Sequence, residues 1–193
     1  MSGNARKFVS RAGEKLNAAL DAFCLDVTGL VCADIGCNVG GFTDCLLQRG
    51  AAKVYAIDTG YGELAWKLRK DTRVVVMERT NALYCQLDEL VDLAVIDTAW
   101  TPQELIVPAA IRMVKPGGKI VSLLKPHYEL AKLSGKKPFA PLKAGQAEEM
   151  CRQVSCRLED KGCSVLAAMR SALLGKGGNQ EFILLLAAQS PKV

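Results

Sequence analysis

Seven short aliphatic runs alternate with segments of helical periodicity, and this alternation restricts the fold more than any other feature of the sequence. Strand, helix and strand in succession favour a parallel sheet with helices packed on its faces. The sequence therefore predicts an α/β fold. The predicted strands cover 30–35, 53–57, 73–77, 93–96, 119–124, 164–169 and 181–187. Helices are predicted over 13–23 and near 41–49, 62–70, 84–90, 102–114 and 142–161, with a long loop over 131–142.

Length and composition predict one domain that spans residues 1–193. A chain of 193 residues is close to the roughly 150 residues of a typical domain. Half of the residues are hydrophobic and 23% are charged, which excludes a disordered or coiled-coil chain. No apolar run approaches the ~20 residues that cross a bilayer, and the polar beginning of the chain lacks the apolar stretch of a signal peptide. We therefore expect a cytoplasmic protein that does not act on membranes.

The cysteines predict buried, reduced thiols rather than a metal site. The chain has eight cysteines but no C-x-x-C pair, and His127 is its single histidine. A zinc site needs four such ligands clustered at short spacings. We therefore expect no metal.

Positive charge is concentrated in two segments. The net charge is +5, yet residues 1–15 carry four basic residues against one acid, and residues 125–143 carry five against one. Such segments fit the rim of a polyanion-binding site, and they fit solvated lysine-rich loops equally well. Charge alone leaves both interpretations open.

Four predicted strands end in a charged residue. Asp34 lies at the end of the first strand, and Asp58, Asp97 and Lys125 follow three others. Ligands of open α/β sheets bind in the crevice beyond the carboxyl ends of the strands. These residues are therefore the first candidates for a functional site.

The segment 34–44, DIGCNVGGFTD, joins a buried strand to a helix, which is the context of a nucleotide-binding turn. Asn38 stands where a dinucleotide dehydrogenase needs its second glycine, so NAD is disfavoured. Asp34 suits a cationic ligand such as the ammonium group of S-adenosylmethionine. Asp58 can accept hydrogen bonds from ribose hydroxyls or serve only the turn 58–60. The predicted cofactor-binding residues are Asp34, Gly36, Cys37, Gly40, Gly41, Phe42, Asp58, Asn81 and Asp97.

Successive segments along the chain carry the motifs of one known family. They are SRAGEKL from Ser10, DIGCNVGGFTDCLLQRGA from Asp34, KVYAIDTGYGELAWKLR from Lys53, RVVVMERTN from Arg73, VIDTAW from Val95, KPGGKIVSLLKPHYE from Lys115 and GNQEFILLL from Gly178. In this order they resemble the FtsJ-type RNA ribose 2'-O-methyltransferases, in particular the TlyA-type (hemolysin A-like) branch. The resemblance implies S-adenosylmethionine as methyl donor. It also implies a Rossmann-like class I methyltransferase fold, a seven-stranded, mostly parallel sheet with helices on both faces.

The same resemblance implies a catalytic tetrad. Carried onto this sequence, its positions fall on Lys15, Asp97, Lys125 and Glu181. TlyA-type proteins usually carry an S4-like RNA-binding domain before the catalytic domain, whereas we expect this chain to consist of the catalytic part. Where the family usually has a phenylalanine-rich segment after the catalytic Asp, this chain has Thr98-Ala99-Trp100, which leaves the chemistry intact.

Methyl transfer to a ribose hydroxyl requires alignment of donor and acceptor and removal of one proton. Lys125 is the candidate base, with Lys15 as a neighbouring positive charge and the two acids as orienting groups. A phosphate contact is the alternative role of Lys125. Trp100 and Tyr128 flank the predicted cleft, where aromatic rings stack on an RNA base or cover the cofactor.

The expected partner is RNA, namely ribosomal RNA or a ribosomal subunit, and the oligomeric state stays open. Two other functions fit the same fold. One is a small-molecule O-methyltransferase, which leaves the basic segments unexplained, and the other is a non-catalytic RNA-binding or assembly protein, which leaves the complete tetrad unexplained.

Overall fold

The alternation of strands and helices folds into one seven-stranded sheet with the order β3-β2-β1-β4-β5-β7-β6. The structure, a computed structural model, describes residues 7–135 and 141–188. The strands are β1 (Val31–Ile35), β2 (Lys53–Ile57), β3 (Val74–Met77), β4 (Val91–Ile96), β5 (Val114–Leu124), β6 (Cys163–Arg170) and β7 (Phe182–Ala188). The helices are α1 (Arg11–Ala22), α2 (Gly41–Gln48), α3 (Trp66–Arg69), α4 (Gln103–Ile111), α5 (Pro126–Ser134) and α6 (Ala144–Asp160), and residues Lys176–Gly178 form a 3₁₀ turn.

The first five strands are parallel, and β7 is the exception. It lies between β5 and β6 and is antiparallel to both, with Leu124 of β5 opposite Phe182 of β7. The end of β5 and the beginning of β7 therefore lie at the same edge of the sheet. Lys125 and Glu181 are the next residues at these two strand ends.

Helices cover both faces of the sheet, which explains why its central strands are almost wholly apolar. One face packs against α4 and α6, and the other against α1 and α2, so each face has its own buried apolar layer. Alternate residues of one strand enter different layers: Ala33 and Ile35 of β1 contribute to the first and Cys32 to the second.

The seven predicted strands are confirmed in place and order along the chain, and so are the helices at α1, α2, α4 and α6. The predicted helix at 84–90 is wrong, because after one turn at residues 82–84 the chain is irregular to residue 90. Asn81 Oδ1 accepts a hydrogen bond from Leu83 N at 3.0 Å and Asn81 O accepts from Cys85 N at 3.1 Å, as at the beginning of a helix, but the chain does not continue as one. The expected helix at 62–70 shortens to α3.

The loop predicted over 131–142 is partly helical. Helix α5 continues to Ser134 and ends at Gly135, which has a φ of 65°. This left-handed conformation is open to glycine at little cost and is a common helix end. Residues 136–140 of the predicted loop, with Lys136 and Lys137, lie outside the described residues.

All eight cysteines are free thiols. Five of them are buried, as expected of structural cysteines, whereas Cys24 and Cys156 are exposed and Cys85 is half-buried. Burial raises the pKa of both Cys32 and Cys45 to about 12. Within residues 7–135 and 141–188, no three or more His, Cys, Asp or Glu side chains lie close enough to hold a metal ion. Over the same residues, no helix combines the length and apolar character required to cross a bilayer.

Helices α1 and α2 cross in close contact at two glycines. A Cβ atom on Gly13 would lie 2.8 Å from the carbonyl oxygen of Gly41 and 2.5 Å from Phe8 Cγ. One on Gly41 would collide with Ser10 Oγ, so neither position has room for a side chain. This crossing fixes α1, and with it Lys15, against the carboxyl edge of the sheet.

We expect Gly13→Ala to lower the free energy of unfolding by about 1–3 kcal/mol, because the added methyl must push α1 away from a backbone atom of α2. Urea denaturation followed by circular dichroism measures the change. Gly145→Ala is the matched control, since a Cβ there meets nothing within 4 Å. The control should be neutral or stabilising by up to ~1 kcal/mol. Equal stabilities of the two variants would contradict the proposed role of the crossing.

Candidate active site

The carboxyl edge of the sheet brings most of the predicted site residues together. Two adjoining cavities of about 330 Å³ and 270 Å³ open there, close to the range of roughly 300–1,000 Å³ that small-molecule sites occupy. The linings of both cavities include Gly36, Asn38, Asp97 and Ala99. The larger one extends over the ends of β2 and β3, with Asp58 and Asn81, and the smaller one extends toward α1 and Lys125.

The glycine loop between β1 and α2 is held in a conformation that depends on its glycines. Gly36 has a φ of 85°, and a Cβ on it would lie 2.7 Å from the carbonyl oxygen of Asp97. The amides of Gly36 and Cys37 both donate to Ile57 O, at 2.8 and 3.1 Å, which ties the loop to β2. The backbone therefore forms the floor on which a ligand can lie.

The other predicted members of the loop differ in position. Cys37, Gly41 and Phe42 line the smaller cavity. Burial, followed by the charge of Asp34, raises the pKa of the Cys37 thiol above its usual value, so it is no nucleophile. Gly40 faces α3 instead, because a Cβ on it would collide with Leu68. A glycine at this position therefore allows Leu68 of α3 to pack against the loop.

Asp34 is fully buried below the loop. Its Oδ2 accepts hydrogen bonds from Thr43 N at 2.8 Å and Thr43 Oγ1 at 2.6 Å. Its Oδ1 is also buried and has no hydrogen-bond partner among the described residues. Burial raises the pKa of this carboxyl to about 7; the Thr43 hydrogen bonds act against the shift and the charge of Asp97 adds to it. Asp34 lines the smaller cavity, so a cationic ligand there would supply the missing partner.

Asp58 combines both roles that the sequence leaves open. Its Oδ1 accepts from Gly60 N at 2.7 Å, as expected of a turn residue, and its Oδ2 accepts from Asn38 N at 2.9 Å. Each carboxylate oxygen has a second lone pair, so the group can still accept from ligand hydroxyls. It lines the larger cavity together with Asn81. Asn81 Oδ1 accepts a hydrogen bond from Leu83 N, so the side-chain NH₂ group is the part of Asn81 that can bind a ligand.

The four tetrad residues form two ion pairs. Lys15 Nζ lies 2.5 Å from Glu181 Oε2, and Lys125 Nζ lies 2.6 Å from Asp97 Oδ1. Lys15 and Glu181 are buried, and the other two are half-buried. The sequence interpretation gave Lys15 the role of an additional positive charge beside Lys125. In the structure each ammonium has its own carboxylate, and the tetrad as a whole carries no net charge.

The loop between β6 and β7 supports Glu181, which the sequence reasoning did not foresee. A Cβ on Gly175 would collide with the Glu181 carboxylate, so this glycine leaves the space that the carboxylate occupies. Asn179 Nδ2 donates to Lys176 O at 2.8 Å, and Ser171 N donates to Glu181 O at 2.8 Å. The glycine cluster in GKGGN, just before Glu181, was the available signal. Thr43, the partner of Asp34, left no such signal.

An aromatic cluster stands at the mouth of the cleft. The Tyr128 ring lies 5.2 Å from the Trp100 ring and 4.3 Å from the imidazole of His127, measured between centroids. Trp100 is 64% exposed, while His127 is buried. Burial, and then the charge of Lys125, lower the pKa of His127, which favours its neutral form. Trp100 is therefore the ring that an incoming substrate can reach.

Comparisons with known proteins agree with this arrangement. The family of FtsJ-like methyltransferases matches residues 8–188. The 16S/23S rRNA (cytidine-2'-O)-methyltransferase TlyA of Mycobacterium tuberculosis is 38% identical over 100% of this chain and 73% of its own length. A hemolysin-like structure from Streptococcus thermophilus has a TM-score of 0.88 and 36% identity over 97% of this chain and 70% of its own. The N-methyltransferase NodS of Bradyrhizobium japonicum shares only the fold, with a TM-score of 0.66 at 15% identity over 94% of this chain and 99% of its own.

These likenesses confirm the resemblance that the sequence motifs indicate. They also confirm the Rossmann-like methyltransferase fold, with its seven-stranded, mostly parallel sheet and helices on both faces. The individual site residues stay predictions, supported by their positions at the cleft.

We expect the contribution of Asp34 to the stability of the unliganded protein to fall as the pH rises from about 4 to 7, while carboxyls with a lowered pKa, such as Asp71 and Asp92, contribute in the opposite direction. The unfolded Asp34 ionises near its ordinary pKa, whereas the folded one ionises only near 7, so the folded state retains a proton that the unfolded state has lost. The loss amounts to at most ~1.4 kcal/mol per pH unit. Urea denaturation at a series of pH values measures it. Asp34→Asn removes this contribution, so its stability should increase relative to that of the wild type as the pH rises from about 4 to 7. Asp160→Asn, on the exposed end of α6, should keep the wild-type slope, and equal slopes in all three proteins would refute the assignment.

Proposed function

Because this chain belongs to the FtsJ-like methyltransferase family, we propose that it methylates the ribose 2'-hydroxyl of a nucleotide in ribosomal RNA. S-adenosylmethionine is its cofactor. The observation that carries the proposal is the position of the Lys125–Asp97 ion pair, because both residues line the smaller cavity together with the glycine loop. The second pair, Lys15 with Glu181, lines neither cavity and is buried behind this edge of the sheet. The relative from Mycobacterium tuberculosis, named for its action on rRNA, supports the choice of RNA.

The cleft fits the chemistry of this cofactor. The buried, unpartnered Oδ1 of Asp34 can take the ammonium group of the methionine part, and Gly36 lets the backbone approach it. Asp58 and Asn81 line the other cavity, where the first can bind the ribose hydroxyls and the second the adenine. S-adenosylmethionine would supply a methyl group on a positively charged sulfur. An oxygen nucleophile takes the methyl group, and the sulfur leaves as the neutral thioether of S-adenosylhomocysteine.

The tetrad holds the acceptor and removes its proton. Lys125, an ammonium in its ion pair, first releases one proton to solvent. As the ribose oxygen attacks, the hydroxyl proton then passes to the neutral Lys125 Nζ. Asp97, 2.6 Å away, then stabilises the ammonium that has formed. The Lys15–Glu181 pair orients the hydroxyl, since its buried geometry is fixed by α1 on one side and by β7 on the other. Much of the rate enhancement comes from this alignment.

The basic segments support an RNA substrate over a small molecule. Lys132 is exposed on α5, the helix that follows Lys125 directly, and Lys7 and Arg11 are exposed at the beginning of α1. Two lysines of the second segment, Lys136 and Lys137, lie outside the described residues. Trp100 can stack on a nucleotide base that has left its helix. A ribosomal substrate agrees with a cytoplasmic location.

We expect the purified protein to transfer labelled methyl groups from S-adenosylmethionine to ribosomal RNA or to isolated subunits, with the label on ribose. Lys125→Ala should lower turnover by ~10²–10⁴-fold, the usual contribution of a positioned base, with little change in cofactor affinity. Lys125→Arg, which keeps the charge but cannot accept a proton, is the matched variant and should be equally slow. Near-normal turnover of Lys125→Ala combined with weak RNA binding, or near-normal turnover and RNA binding of Lys125→Arg, would make Lys125 a phosphate contact. Transfer to small molecules alone would refute the proposal.

We expect Asp58→Ala to weaken the binding of S-adenosylmethionine and S-adenosylhomocysteine, because the ribose hydroxyls lose their acceptor. Titration calorimetry measures the affinity. Removal of a hydrogen bond to a charged group costs about 1.5–3 kcal/mol, so the dissociation constant should rise roughly ten- to a hundredfold. Asp71→Ala, at a distant turn where the acid pairs with Arg73, is the control and should bind normally. Tight binding of NAD without binding of either methionine derivative would contradict the assignment of the cleft.

A further inference from the structure

Two exposed aromatic rings, each accompanied by a cation, lie on the β2–β3 side of the sheet and take no part in the site described above. Tyr61 is 67% exposed and Trp66 is 69% exposed. The guanidinium carbon of Arg79 lies 4.2 Å from the centre of the Tyr61 ring, and Lys70 Nζ lies 4.9 Å from the centre of the Trp66 ring. We refer to Tyr61, Trp66, Lys70 and Arg79 as the cation–aromatic surface.

A shared carboxylate supports this surface from below. Glu78 forms an ion pair with Arg69 of α3 and accepts a hydrogen bond from Gly62 N at 2.9 Å. Arg69 Nε also donates to Leu64 O at 3.0 Å. The segments that carry the two rings are therefore joined to each other, and the rings are held in place before any partner arrives.

The two cations of the cation–aromatic surface form no ion pair with a carboxylate among the described residues. Three other basic residues of this region have a carboxylate partner: Lys67 pairs with Asp44, Arg69 with Glu78 and Arg73 with Asp71. Over residues 7–135 and 141–188, no ion pair is found for Lys70 or Arg79. These two charges therefore remain available to an anionic partner.

The surface adjoins the cofactor cleft. Ala65 N donates to Val39 O of the glycine loop at 3.2 Å, and Leu68 fills the space beside Gly40. The residues before Tyr61, Asp58 and Thr59, line the larger cavity. In the sheet, β2 is three positions away from β5, or about 14 Å at the usual spacing of ~4.8 Å between strands. The surface therefore adjoins the β2 side of the cleft and Lys125 the β5 side, and a stretch of a few nucleotides can span the distance between these two strands.

We propose that the cation–aromatic surface binds a single-stranded segment of the RNA substrate, a few nucleotides from the methylated ribose. The inference rests on the proposed function, since it assumes that RNA is the substrate. Bases stack on Tyr61 and Trp66, and neighbouring phosphates lie against Lys70 and Arg79. Such stacking tolerates any sequence, because every base has an aromatic face. Two cations beside two exposed rings provide both parts of a single-strand site, namely charge for the backbone and aromatic faces for the bases.

The fluorescence of Trp66 tests the contact without methyl transfer. The chain has two tryptophans, so Trp100→Phe leaves Trp66 as the single reporter. We expect a ten-nucleotide oligocytidylate to quench its emission, and we expect inorganic polyphosphate, which has charge but no bases, not to do so. Added salt should weaken the quenching, with a slope of about −0.7 for each phosphate contacted. Unchanged emission with the oligonucleotide would overturn the inference, and so would equal quenching by polyphosphate.

Methyl transfer separates the surface from the active site. Tyr61→Ala and Trp66→Ala should each raise the KM for ribosomal RNA roughly fivefold or more, because each loses the stacking of a base. Turnover at saturating RNA and the affinity for S-adenosylmethionine should stay unchanged. Lys161→Ala is the control, since it removes an exposed charge just before Cys163, and β6 begins at the edge of the sheet opposite to the site.

The outcomes distinguish this inference from the proposed function. If the wild-type protein methylates no RNA, the proposed function fails. If the wild-type protein methylates RNA and the two aromatic variants have the same KM as Lys161→Ala, only the inference fails. A loss that appears with intact subunits but not with free RNA would assign the surface to a ribosomal protein, and this also overturns it.

Discussion

The antiparallel insertion of β7 between β5 and β6 is the constraint on which the site depends. In a wholly parallel sheet, the strand beside β5 would present its final residue at the carboxyl edge. Because β7 runs the other way, it presents its beginning there, and Glu181 stands beside Lys125. A charged residue can hold this position only if a partner reaches it, since an uncompensated buried charge is costly. Lys15 is that partner, and the close crossing of α1 and α2 at Gly13 and Gly41 brings it there.

The other charged residues of the cleft also have counter-ions or hydrogen-bond partners. Lys125 has Asp97 as its counter-ion, Asp58 accepts from two backbone amides, and Asp34 has Thr43 for one of its oxygens. The other oxygen of Asp34 is buried and has neither a hydrogen-bond donor nor a counter-ion among the residues that the structure describes. An unpaired buried acceptor requires an explanation, and a bound ligand is one. This oxygen therefore supports the proposal that the charged end of the cofactor binds there.

The sequence was sufficient for the strands, because aliphatic runs of this length have few alternatives once helices flank them. Asp34, Asp58, Asp97 and Lys125 could be located as well, since parallel strands end at one edge. The sequence was insufficient for residues 84–90, where the helical pattern is present but the chain forms only one turn after Asn81. It was also insufficient for contacts between distant segments. Lys15 and Glu181 form an ion pair although they lie 166 positions apart in the sequence. No local sequence pattern shows that the Glu181 carboxylate neutralises the positive charge of Lys15.

Because the four tetrad residues form two ion pairs, different residues bind the RNA and carry out the chemistry in the proposed function. Because the proposed tetrad consists of two ion pairs without net charge, we expect the attraction of RNA to fall to residues at the periphery, such as Lys132 and Lys70. Exposed residues tolerate substitution with little effect on folding, whereas the buried pairs do not. A lineage with this architecture can therefore change which nucleic acid it recognises by altering its outer surface, and leave the inherited chemistry untouched.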